Sequence, residues 1–65
     1  MYKNLRREMR RKAIYQKDLA RILGISEVAV NYKMNGKTCF SMKDAEIIRD
    51  TLFPHCTIDY LFFDK

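Results

Sequence analysis

Gln16-Lys17-Asp18-Leu19-Ala20-Arg21-Ile22-Leu23-Gly24-Ile25-Ser26-Glu27-Val28-Ala29-Val30-Asn31-Tyr32-Lys33-Met34-Asn35-Gly36-Lys37 is the stretch that decides the fold of this 65-residue chain. Leu19, Ala20, Ile22 and Leu23 form an apolar stripe at helical spacing, which predicts a helix from Gln16 to Leu23. Gly24 follows, where a left-handed residue commonly ends a helix. Ser26 is an N-cap residue, and Glu27 in the first turn suits the helix dipole. A second helix is expected over 27–35, with Val30 and Met34 inward, closed by the Asn35-Gly36 turn.

Those two helices have the geometry of a helix-turn-helix. The second can cross the first at close range because Ala20 is small. Gly24 supplies the positive φ of the turn. Leu19, Leu23, Ile25 and Val30 are the apolar residues that lock the pair. Gly24 lies four residues after Ala20 and six before Val30, the spacing the motif requires.

Outside this segment the pattern stays helical. Tyr2, Leu5, Met9 and Ala13 fall on one face of a first helix. Ser41 with Asp44 reads as a capping box for a fourth helix that buries Ala45, Ile48 and Leu52, with Ile47 alongside. Pro54 blocks its continuation. Thr57 caps a short fifth helix with Ile58, Leu61 and Phe62 inward. The expected fold class is all-α: one compact five-helix domain over 1–65.

Composition is that of a globular domain, 48% hydrophobic and 32% charged. No apolar run approaches the roughly 18–20 residues of a membrane span. The start, charged from Lys3 through Lys12, offers no apolar signal-peptide core. The expected location is the cytoplasm, without membrane contact. Cys39 and Cys56 form no Cys-x-x-Cys pair, and one His with two Cys falls short of a zinc set. Both thiols are expected reduced and at least half-buried, and no metal or cofactor is expected.

Charge is uneven along the chain. Residues 1–37 carry ten Lys or Arg against Glu8, Asp18 and Glu27, a net +7. Residues 38–65 carry three against five acids, a net −2. One face aimed at a polyanion is implied. Arg6, Arg7, Arg10, Arg11 and Lys12 resemble a footprint on that polyanion, or a solvated helix face. An enzyme is disfavoured: there is no nucleophile–base pair, no phosphate-cradling glycine loop and no small-molecule site, and His55 is the single histidine.

The Gln16–Ser26 run, followed by Asn35-Gly36-Lys37, resembles the lambda-type repressor/Cro (XRE) helix-turn-helix family. The tail around Thr51–Pro54 and Ile58–Phe62 is similar to short phage-type Cro-like regulators. The resemblance implies a lambda-repressor-like domain that regulates transcription from a double-stranded DNA operator, with helix 27–35 in the major groove. It places Glu27, Val28, Asn31 and Tyr32 at base edges, and Gln16, Lys17, Lys33, Asn35, Lys37 and Arg10 at phosphates. Asn31 can pair with adenine N6/N7, Glu27 can accept from cytosine N4, and Val28 can touch a thymine methyl.

Plainer readings stand beside these. Glu27 can simply complement the helix dipole, Asn31 and Lys37 can be solvated, and Tyr32 can fold back on the first helix. Two positions depart from the family. Tyr15 replaces the usual Ser or Thr cap of the Gln16 helix. Lys33 stands where an apolar residue is usual, its stem expected along the core edge and its ammonium at a phosphate. Tyr60 and Phe63 are expected to point outward, giving a possible homodimer surface within residues 53–63. The rival function is a protein-interaction module, an antitoxin or anti-repressor that uses the motif as a scaffold.

Overall fold

The computed structural model describes residues 1–63; Asp64 and Lys65, counted in the charge balance, lie outside the described residues. Five α-helices occur among the described residues, with no strand: α1 (Lys3–Arg11), α2 (Gln16–Leu23), α3 (Glu27–Met34), α4 (Met42–Leu52) and α5 (Ile58–Phe62). The protein is an all-α domain with principal extents of 26 × 22 × 21 Å. No helix among the described residues is long and apolar enough to cross a membrane.

The caps explain where the helices begin. The Ser26 hydroxyl accepts from the Ala29 N–H at 3.1 Å, and Thr57 accepts from Tyr60 N–H at 3.0 Å. At α4 the capping box is complete. Ser41 Oγ accepts from Asp44 N–H at 3.0 Å, and Asp44 returns the bond to Ser41 N–H at 3.1 Å. Each cap satisfies a donor that an isolated helix start leaves open. Tyr15 makes no side-chain cap, as its long side chain predicts. Half of the box survives there, because Asp18 Oδ2 accepts from Tyr15 N–H at 2.8 Å.

α1, α2 and α3 end alike. A left-handed residue lets the chain fold back and donate to a carbonyl five residues earlier: Ile14 to Met9 at 2.8 Å, Ile25 to Ala20 at 3.1 Å and Lys37 to Tyr32 at 2.9 Å. Gly24 (φ 71°) and Gly36 (φ 82°) fill two of those positions at little cost. The third is Ala13 at φ 54°. This corrects the expectation for Ala13: α1 stops at Arg11, and Ala13 is exposed in the turn rather than on the buried face. An L-residue with a Cβ is strained there by about 1–2 kcal/mol. Ala13→Gly is therefore expected to stabilise the protein by about 0.5–1 kcal/mol, after allowing for glycine's freer unfolded chain. The check is a thermal melt, which should rise by a few degrees.

Leu5, Leu19, Val30, Ile48, Phe53 and Leu61 are completely buried, and Met34 nearly so. Ala20, at 6% exposure, lets α3 cross α2 closely. α2 packs on α3 and α4, and α5 packs on α1 and α4. Ile22, Leu23 and Leu52 are only half-buried against this core. Tyr2, Phe40 and Phe62 form a mutual edge-to-face cluster, with centroids 5.3, 6.0 and 5.4 Å apart.

One charged side chain lies inside. Glu8 is 6% exposed. Its carboxylate accepts from the Tyr60 hydroxyl at 2.8 Å and from Arg11 Nη1 at 3.2 Å. The bond to Glu8, with burial and Glu8's negative charge, holds the Tyr60 phenol above its ordinary pKa. Tyr60 is thus half-buried and tied to α1, not turned outward. The large apolar side chains of the 53–63 segment are likewise mostly inside: Phe53, Leu61 and Phe62 are buried, Ile58 is half-buried, and only Phe63 stays exposed, at 58%. Of the two thiols, Cys56 is half-buried as expected, whereas Cys39 is exposed.

Candidate nucleic-acid interface

α3 is eight residues long, about 12 Å of helix. Val30 and Met34 point into the core. Val28 and Tyr32 lie on the opposite side, Asn31 flanks them, and Glu27 borders the core-facing side; all four are exposed. Val28 is 60% and Tyr32 44% exposed, one turn apart, with the Asn31 amide beside them. Tyr32 does not fold back on α1; the Lys37 ammonium lies over its ring, 4.9 Å from the centroid. No hydrogen bond engages the Glu27 side chain among the described residues.

The start of α2 lies beside this face. Asn31 Nδ2 donates to Gln16 Oε1 at 3.4 Å. Lys17 is exposed, its ammonium 5.8 Å from the Tyr15 ring centroid. Exposed Arg10 and Tyr15 line a groove of about 290 Å³ with Gln16 and the buried Met9 and Met34. Gln16, Asn35 and Lys37 each contact an outward residue of α3, whereas Arg10 is placed at the groove beside Gln16 and Lys17 beside Tyr15.

Lys33 is placed otherwise. Its ammonium donates to the Cys39 carbonyl at 2.9 Å and lies 3.7 Å from Asp44. The side chain is only 20% exposed. The stem follows the core edge as expected, but the charge turns to the α3–α4 loop instead of outward. Lys33→Gln is expected to leave the salt slope of DNA binding unchanged, whereas Lys37→Gln should shallow it by about 0.9. Titrations at four salt concentrations would separate the two.

Much of the basic α1 is also committed internally. Arg6 donates to the Met34 carbonyl at 2.9 Å, Arg11 to Glu8, and Lys12 to the Leu52 carbonyl at 3.2 Å. Lys12 closes the end of α4 and covers the Phe53 ring at 5.3 Å. The expected footprint thus contracts. These roles had a partial signal: Arg6 follows Tyr2 by four residues and precedes Met9 by three, so it sits at the edge of the buried face.

A second exposed feature lies at α4 and α5. Met42 (56% exposed) and Phe63 (58%) line a small cavity of about 80 Å³ with the Tyr2, Phe40 and Phe62 cluster. No protein-family model, no curated protein and no solved structure matches the chain.

Proposed function

We propose that this protein is a sequence-specific, double-stranded-DNA-binding regulator of transcription, a helix-turn-helix protein of the lambda-type repressor/Cro kind acting in the cytoplasm. α3 enters the major groove, whose width of about 12 Å matches a helix with its side chains. One observation carries this reading. The outward side of α3 presents exposed apolar Val28 and Tyr32 beside the Asn31 amide. Val28 meets a thymine methyl, Asn31 an adenine edge, and Tyr32 either a base or a phosphate. Glu27 accepts from cytosine or serves the helix dipole. Gln16, Lys17, Arg10, Asn35 and Lys37 fix the register on phosphates.

The exposed Met42–Phe63 patch favours a protein contact as well. A second copy of the chain is the partner that suits operator reading, because two copies can span half-sites about 34 Å apart. A protein-interaction role without DNA is the second reading, and this same patch is what favours it.

In-vitro selection on random duplexes tests the proposal. The wild type should enrich one motif. Asn31→Ala should keep that motif but relax one base pair, where discrimination falls by about 1–3 kcal/mol. Identical motifs for both proteins would remove Asn31 from the base-reading set.

A further inference from the structure

Four polar side chains from three segments form one continuous hydrogen-bonded chain. Arg6 Nη2 donates to Asn35 Oδ1 at 3.3 Å as well as to the Met34 carbonyl. Asn35 Nδ2 donates to Asn31 Oδ1 at 2.9 Å. Asn31 Nδ2 donates to Gln16 Oε1 at 3.4 Å. The chain begins at a fixed cation, because Arg6 Nε also donates to the Met1 carbonyl at 3.1 Å.

The chemistry of the donors gives this chain a single direction. A guanidinium donates and never accepts. Asn35 must therefore turn its oxygen to Arg6, which leaves its NH2 for Asn31. Asn31 must answer with its oxygen, and its own NH2 then faces the Gln16 oxygen. Reversing any one amide would set two oxygens or two NH2 groups against each other. What remains unused points to the ligand. Asn31 keeps one lone pair on Oδ1 and one hydrogen on Nδ2, an acceptor–donor pair that matches adenine N6 and N7. Gln16 keeps both Nε2 hydrogens, which suit phosphate oxygens.

We propose that Arg6 is a positioning residue that sets the donor–acceptor sense of Asn31 and Gln16, through Asn35, and so determines which base α3 accepts. This rests on the DNA-reading role proposed for α3. Arg6 itself touches no base; it acts from the far end of the relay.

Asn35→Asp is the discriminating variant. It preserves shape and still accepts from Arg6, but it can no longer donate to Asn31. Asn31 must then turn its NH2 toward residue 35, which exchanges its outward donor and acceptor. Asn35 is exposed, so the fold should persist, and backbone NMR spectra check this. Selection with the wild type and Asn31→Ala first identifies the base pair that Asn31 reads. At that position the wild type should prefer adenine by about tenfold or more. Asn35→Asp should cut the preference to under about threefold while the other positions keep theirs, since its added charge weakens all sequences alike. In the free protein, the Asn31 side-chain NH2 should exchange more slowly in the wild type than in Arg6→Met. A wild type that selects no duplex overturns the DNA reading and this proposal with it. A wild type that selects one, with Asn35→Asp retaining the adenine preference, overturns this proposal alone. Equal Asn31 amide exchange in wild type and Arg6→Met also overturns it.

Discussion

Phe53→Ala is expected to leave the protein largely unfolded at room temperature. Phe53 is the largest side chain with no exposure, and it closes the core where α4 ends. Truncating a buried Phe costs about 3–5 kcal/mol. The Lys12 ammonium over its ring would be left without that partner, which adds roughly 0.5–1 kcal/mol. A domain of this size has on the order of 3–10 kcal/mol in total. The substitution therefore removes much or all of the available stability. Phe63→Ala is the matched control. Its ring is 58% exposed, so the change should fall within about 0.5 kcal/mol. Urea titration followed by circular dichroism reads both variants. A folded Phe53→Ala protein with an unchanged midpoint would mean that the core does not depend on the α4–α5 corner.

The second large effect concerns salt. Lys17, Lys37 and Arg10 are the exposed cations assigned to phosphates in the proposed complex, while Lys33 is turned to the α3–α4 loop. Three released counterions give a slope of about −2.7 in log K against log salt, or about 40-fold weaker binding between 50 and 200 mM. Two copies on one operator double the slope, and the loss grows to roughly 2,000-fold. The slope reports the total number of phosphate contacts, and the stoichiometry from a saturating titration divides it between chains. A salt-independent affinity would exclude phosphate contacts as the source of binding. A slope near −3.6 per chain would mean that Lys33 leaves Asp44 and joins the interface.

Local rules made most of the architecture legible. Ser26, Ser41 and Thr57 mark helix starts because a short hydroxyl side chain can accept from the backbone two or three residues on. Gly24 and Gly36 mark helix ends because both need positive φ. Ala13 escaped the same rule, since a left-handed alanine carries no mark in sequence and its apolar character fits the helical stripe. At the interface, spacing alone brought Val28 and Tyr32 onto the outward side of α3, with Asn31 flanking them. The fate of the long cations was not legible. Arg6, Lys12 and Lys33 reach carbonyls that lie 28, 40 and 6 residues away in the chain, and only the tertiary arrangement decides whether such a carbonyl is in range. Tyr60 misled for a similar reason. Its place near the end of an apolar tail resembles an open surface, yet its hydroxyl finds the buried Glu8 across 52 residues.

The internal use of cations changes what charge means in this protein. A net +7 over residues 1–37 suggests a broad basic face. Two of those ten cations, Arg6 and Lys12, instead bond to carbonyls at the ends of α3 and α4. On the proposed reading of DNA by α3, amides and apolar contacts would then carry more of the specificity.

Backbone amide shifts on titration with the selected duplex test the central claim most directly. If α3 reads DNA, the largest changes fall at residues 16–17, 27–32 and 35–37. Residues 42 and 63 should move only if a second copy binds. Shifts confined to the Met42–Phe63 patch, or no shifts at equimolar duplex, would contradict a role for α3 in reading DNA.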